Sequence, residues 1–169
     1  MPSTCSYSAV IEVTMPSTHH GLLIHVVFST KQRFKLLKPE WRDELFAIIG
    51  GITHEHKSVL LKAGGVEDHI HLLLKTHPAY AISDTVKLIK GNSSRWINEG
   101  KRINARFEWQ RGYGAFSVSE SNSEAVKNYI ANQEAHHQQR SFENEYFELL
   151  KRHRIQFDPK YVFDDDVVT

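Results

Sequence analysis

Asp68-His69-Ile70-His71-Leu72-Leu73-Leu74 sets two imidazoles either side of a large aliphatic residue, in a run that otherwise reads as a buried strand. Alternation at period two points both rings to one face of that strand. Two neutral imidazoles side by side make half of a metal site, and next to three leucines they are a poor way to build a core. Taken alone, the pair reads equally well as a satisfied structural pair. Further along, Tyr129 and Gln133 lie four residues apart, so one helix presents a phenol and a carboxamide together, with Val126 and Ile130 as an adjacent packing face. A tyrosine at such a position is by default an ordinary amphipathic-helix residue. Imidazoles that hold a metal need outer partners to fix their tautomers. Glu67, Asp68 and His25 are the candidates, and the sequence does not choose among them. His25, on an apolar strand, reads as a satisfied core histidine, and His19-His20 and His136-His137 read as solvent-facing.

The elements that must position these groups follow from pattern. Leu22–Ser29 reads as strand one, and Lys31-Gln32-Arg33-Phe34-Lys35 as a basic loop. Pro39 opens a helix carrying Trp41, Leu45, Ile48, Ile49 and Ile52, weakened near its end by Gly50-Gly51. Ser58–Lys62 is strand two, Ala63-Gly64-Gly65 a turn or bulge, and Asp68–Lys75 strand three. Ser83 or Asp84 caps a second helix ending at Gly100, and Phe107–Trp109 with Gly114–Ser119 gives strand four, split by a glycine-containing loop. Helix three starts after Ser121 to Ser123 and runs to about Gln139; a last helix begins at Ser141 and carries Phe142, Tyr146, Leu149 and Leu150. The order β-α-β-β-α-β followed by helices predicts an α+β fold, ferredoxin-like or RRM-like, with an antiparallel sheet and added C-terminal helices. Its first two helices share one face, and His69 and His71 lie mid-sheet.

Composition bounds the partners without naming them. The 169 residues suggest one domain over 19–153, with an N-terminal tail over 1–18, expected to be poorly ordered, and an acidic C-terminal tail over 154–169. Met-Pro-Ser-Thr occurs at both Met1 and Met15, so Met15 is a candidate start. The net charge is +1, but the first 30 residues hold one acid and no base, and residues 154–169 two bases and four acids, which leaves +4 on residues 31–153. That modest bias permits a polyanionic partner. The lone Cys5 fits a reducing, prokaryotic cytoplasm, and neither a secretory signal nor an 18-residue apolar run is evident.

Four ordered blocks carry a resemblance: His25-Val26-Val27-Phe28-Ser29-Thr30-Lys31, His69-Ile70-His71, Trp109 to Ser119, and Tyr129-Ile130-Ala131-Asn132-Gln133. Together they resemble the single-tyrosine HUH transposases, insertion-sequence enzymes acting on single-stranded DNA, and in particular the group associated with repeated extragenic palindromes. The resemblance covers about residues 18–150. It implies that Tyr129 is the nucleophile and that His69, His71 and Gln133 hold a divalent metal, Mg²⁺ or Mn²⁺. His137, four residues beyond Gln133, competes for the third place. It also implies a homodimer in which the tyrosine helix of one subunit completes the site of the other. DNA contacts are expected at Lys31, Arg33, Lys87, Lys90, Arg95, Arg111 and Tyr113, although charge runs are usually just solvated.

The expected function is therefore cleavage and rejoining of single-stranded DNA at hairpin-marked sites through a 5′-phosphotyrosine. Two alternatives stand beside it. One is a domesticated relative that binds hairpins without mobilising an element, against which stands the full set of catalytic residue types. The other is a His-x-His phosphodiesterase, whose usual pair of His-x-Thr/Ser motifs this chain lacks.

Overall fold

A computed structural model describes residues 18–163. Four strands, β1 (Leu23–Ser29), β2 (Val59–Gly65), β3 (His69–Lys75) and β4 (Gly114–Val118), form one antiparallel sheet in the order β2-β3-β1-β4. The helices α1 (Pro39–Thr53) and α2 (Ile82–Glu99) intervene as expected, and α3 (Ser123–Ala131), α4 (Gln133–His137) and α5 (Phe142–Arg152) follow β4. This is the predicted α+β plan, with β1 and β3 as its central pair.

Strand alternation divides the core into two layers. Val26, Phe28, Ile70, Leu72 and Leu74 face one way and pack with Leu45 and Ile49 of α1 and Val86 and Ile89 of α2. Each such buried side chain contributes roughly 1.5–3 kcal/mol. On the opposite face, Val27 and Phe116 pack under Phe142, Tyr146, Leu149 and Leu150 of α5, while Leu23 and Leu73 pack under Ile130 of α3. His25, His69 and His71 share that second face, between α3 and α5. Within the segment expected as an acidic tail, Phe157, Val162 and Phe163 pack onto α5. Asp164–Asp166 and the expected N-terminal tail, up to residue 17, lie outside the described residues.

Several local expectations are corrected. Ala63-Gly64-Gly65 is not a turn but the end of β2, and the register shift falls earlier, between Leu60 and Lys62. The reason is close approach: a Cβ on Gly64 would lie 2.1 Å from the carbonyl oxygen of Ile130, so the glycine lets α3 sit directly on the sheet. Helix α2 starts at Ile82 with Ala81 as its N-cap and no side-chain cap, so neither Ser83 nor Asp84 caps it. Phe107 is outside any strand, and Trp109 makes only an isolated bridge to Thr30; both are held instead by burial under α2. The third helix does not run unbroken to Gln139. It breaks at Asn132 (φ −99°, ψ 21°), whose N–H is shared between the carbonyls of Asn128 and Tyr129. Asparagine is a weak helix former, and the break re-aims the following turn. Ser141, in contrast, caps α5 as expected, accepting from the Asn144 N–H.

Candidate active site

His69 and His71 are fully buried, and each is held by one ring nitrogen so that the other faces a common point. Asp68 Oδ1 lies 2.6 Å from His69 Nδ1, and His25 Nε2 lies 2.9 Å from His71 Nδ1. The register explains the second contact, because His25 on β1 sits opposite Leu73, two register pairs along from Val27 and His71, which keeps His25 and His71 on one face of the sheet. Asp68 and His25 are thus the outer partners the sequence left open, and His25 belongs to the site as well as to the core. Both Nε2 atoms are left pointing between α3, α4 and α5.

The point they face is occupied by the carboxylate of Glu145, on α5, a residue the sequence reading did not single out. Its oxygens lie 3.5 Å from His69 Nε2 and 3.5 Å from His71 Nε2. His137 Nε2 lies 2.7 Å away and the Gln133 amide donates to it at 3.1 Å. The Tyr129 hydroxyl also donates to it. His137 is therefore turned inward, against the solvent-facing expectation, because the break at Asn132 rotates α4 towards the sheet. Gln133 is buried with its Oε1 3.4 Å from His69 Nε2. The signal for Glu145 was present: in the apolar stripe Phe142, Tyr146, Leu149 it occupies an inward position, three residues after Phe142 and four before Leu149. A carboxylate there is buried at a cost unless it has partners.

The charge states follow from these contacts. Burial alone would raise the Glu145 carboxyl, but the hydrogen bond with His137 and the surrounding imidazoles of His69 and His71 hold it well below the ordinary carboxylate range. Burial pushes the Tyr129 phenol up, and the Glu145 charge pushes it further, so it stays protonated. Burial lowers His71 to about 4 despite Glu145. Burial also works against His69, but Asp68 and Glu145 raise it overall.

The donor set suits a divalent metal. His71 Nε2 is buried without a hydrogen-bond partner, and the ligand atoms of His69, His71, His137 and Glu145 all lie within 4.8 Å of one another. An open cavity of about 400 Å³, lined by Tyr129, His136, His137, Arg140 and Glu145, leads from solvent to this point.

Residues 18–133 match the family described as transposase IS200 like. The chain belongs to that family. Within it, the chain is 29% identical over 119 residues to the ISDra2 transposase TnpA of Deinococcus radiodurans, covering 68% of this chain and 85% of the relative. It is 29% identical over 128 residues to the transposase for insertion sequence element IS200 of Salmonella typhimurium, covering 72% and 83%. Among solved structures, a crystal structure described as that of a transposase from D. radiodurans superposes with TM-score 0.57 at 28% identity, over 70% of this chain and 95% of the other. A tyrosine transposase associated with REP sequences, bound to a REP hairpin, shares the fold at TM-score 0.55 and 12% identity, over 73% and 74%. The IS200-like match ends at residue 133, so His137 and Glu145 lie beyond it.

The remaining expected residues of this transposase fall in two groups. Lys31, Arg33, Lys90, Arg111 and Tyr113 gather where β1 ends and β3 begins, the end of the sheet nearest His69. Lys31 pairs with Glu108 at 2.5 Å, and Arg33 pairs with Glu143 at 3.1 Å and lies over the Phe163 ring. Lys90 Nζ donates to the carbonyls of Gln110, Arg111 and Gly112, which fixes the loop carrying Arg111 and Tyr113. Lys87 and Arg95 are exposed on α2, behind the sheet, and Arg95 lines a hollow of about 450 Å³ with Ser94, Asn98 and Arg106. Among the described residues no helix is long and apolar enough to cross a membrane.

Proposed function

We propose that this member of the IS200-like family cleaves and rejoins single-stranded DNA at hairpin-marked sites through a 5′-phosphotyrosine on Tyr129. The observation that supports it most is that Tyr129 reaches the His69–His71 site within one chain: its ring centroid is 5.8 Å from that of His71 and its hydroxyl meets the carboxylate between the two imidazoles. The relative whose structure is described with a REP hairpin makes a hairpin a natural first substrate to try.

In this reading, the scissile phosphate enters the cavity between Tyr129 and Arg140. The Tyr129 oxygen attacks phosphorus, the bond to the 3′ oxygen breaks, and that oxygen leaves as a hydroxyl. Because the phosphodiester energy is kept in the tyrosine ester, a second 3′-hydroxyl can reverse the step without ATP. A phenol with a pKa of about 10 or higher is a weak nucleophile at neutral pH, so the site must compensate. When bound, a divalent ion, Mg²⁺ or Mn²⁺, would supply Lewis-acid pull on the phosphate oxygen. His69, His71 and Gln133 form the ion-binding side, with Asp68 and His25 orienting the two rings. Lys31, Arg33, Lys87, Arg95, Arg111 and Tyr113 contact DNA, and Lys90 does so through the loop it holds. The working unit is a homodimer, the reaction takes place in the cytoplasm, and neither is needed to bring Tyr129 to its own histidines.

The test is a labelled hairpin oligonucleotide incubated with the protein and Mn²⁺ or Mg²⁺. Cleavage that disappears in Tyr129→Phe and in His69→Ala supports the reading. Cleavage that survives Tyr129→Phe refutes the nucleophile, and hairpin binding with no cleavage under any metal favours a domesticated binding protein.

A further inference from the structure

We infer that Glu145, carried by α5 beyond the family-matched region, is itself a metal ligand, and that with His69, His71 and His137 it makes a site selective for a transition-series ion over Mg²⁺. The inference rests on the proposed metal site and changes its composition: Gln133 orients the carboxylate rather than ligating.

The spacing supports ligation. Two donors each about 2.1 Å from one ion lie roughly 3.0–3.4 Å apart at tetrahedral or octahedral angles. Glu145 is 3.5 Å from the Nε2 atoms of both His69 and His71, too long for good hydrogen bonds and close to that ligand separation. His71 Nε2 has no hydrogen-bond partner although it is buried, which is costly unless something binds there. The tautomer is compatible, since His71 Nδ1 can donate to His25 and leave Nε2 bare. Gln133 donates its amide to Glu145 at 3.1 Å and so holds the carboxylate in place, while its own Oε1, 3.4 Å from His69 Nε2, brings no charge to the ion.

The chemistry sets the preference. Three imidazoles and one carboxylate are a nitrogen-rich set, which suits Mn²⁺, Co²⁺ or Zn²⁺; Mg²⁺ prefers oxygen and keeps its waters. One buried carboxylate offsets half the charge of a divalent ion, which three neutral rings and an amide cannot do. For an ion taking six donors, two positions remain for phosphate and water.

The experiment is calorimetric titration of the metal-stripped full-length chain with MnCl₂ and with MgCl₂. Wild type should bind Mn²⁺ at least a hundredfold more tightly than Mg²⁺. Glu145→Gln should weaken Mn²⁺ at least tenfold, as should His71→Ala, whereas Gln133→Ala should weaken it by less. If His71→Ala weakens binding and Glu145→Gln does not, the histidine site stands and the inference about Glu145 fails. If wild type binds no Mn²⁺, both fail. Faster DNA cleavage by Glu145→Gln at unchanged Mn²⁺ affinity overturns ligation and assigns Glu145 to blocking the site. Should Glu145→Gln not fold, Glu145→Asp loaded with Co²⁺ replaces it: a shifted visible band is expected, and a band identical to wild type refutes the inference.

Discussion

The hydroxyl of Tyr129 donates to the carboxylate of Glu145, a residue sixteen positions further along the chain and on a different helix. That contact ties together the two elements that flank the histidine face, α3 and α5. It also keeps the phenol protonated, because burial and the Glu145 charge both push it up. The tyrosine, the imidazoles and the carboxylate are thus brought together within one chain.

The docking of α3 depends on Gly64. A Cβ there would meet the Ile130 carbonyl oxygen at 2.1 Å and Ile130 Cγ2 at 2.9 Å, so Gly64→Ala must push away the turn that carries Tyr129. We expect a loss of about 1–3 kcal/mol, as for other overpacking changes, together with a large loss of DNA cleavage. Gly51→Ala is the control. Nothing lies within 4 Å of that position inside α1, so it should stabilise by about 0.5–1 kcal/mol. Thermal melts of the two variants check both signs.

In the proposed metal site His25 acts through His71, whose Nδ1 it meets at 2.9 Å. Its ring lies between Phe116 and Tyr129, at centroid distances of 6.2 and 6.1 Å, so a phenyl ring is a fair replacement for its bulk. His25→Phe should leave the fold intact and weaken Mn²⁺ binding by roughly 10–100-fold, the usual effect of losing an outer partner. Unchanged affinity in a Mn²⁺ titration would show that the His71 tautomer needs no support.

Lys90 and Lys87 lie on one helix but should behave differently. Lys90 Nζ satisfies three carbonyls of the loop before Tyr113, so Lys90→Met should cost about 1–3 kcal/mol and reduce hairpin affinity by loosening Arg111 and Tyr113. Lys87→Met should leave the melt unchanged and lower the salt slope of hairpin binding by about one. Equal salt slopes for Lys87→Met and wild type would remove Lys87 from the DNA contact.

The metal-stripped protein should lose stability on acidification. Burial holds His25 at about 3 and His71 at about 4, against an ordinary 6.5, so below pH 6.5 protons bind these sites mainly in the unfolded chain. Stability from this pair is full above pH 6.5 and falls towards pH 4. His69 opposes this, since Asp68 and Glu145 raise it overall despite burial, and its contribution grows as pH falls through its range. Each of the pair contributes a loss of roughly 2 kcal/mol from pH 7.5 to pH 5, part of which His69 offsets, so the net loss should be on the order of 2–4 kcal/mol. Urea unfolding in EDTA at the two pH values measures it; equal or greater stability at pH 5 would contradict the neutral pair.

The shared face of His69 and His71 was legible because period-two alternation is a local property of each strand, and the strand order followed from the β-α-β-β-α-β succession. Tyr129 was legible through its spacing from Gln133 and through the neighbouring blocks. What the sequence hid was set by tertiary contact. Gly64 read as part of a turn or bulge because only the approach of α3 explains a glycine in a regular strand. The break at Asn132 is a single residue's backbone angles, and it alone turns His137 inward. Glu145 was not legible because, in an amphipathic helix, a glutamate beside apolar residues looks like a boundary of the polar face unless the opposing histidines are known.

The central claim, that Tyr129 forms the covalent bond to DNA, is most directly tested by mapping the adduct. The protein is incubated with a hairpin oligonucleotide and Mn²⁺, digested with nuclease and trypsin, and its peptides are weighed by mass spectrometry. Trypsin should release Asn128–Arg140, in which Tyr129 is the sole tyrosine. The account predicts a nucleotide phosphate on that tyrosine, absent in Tyr129→Phe. A nucleotide on any other residue, or cleaved DNA with no modified peptide, would contradict it.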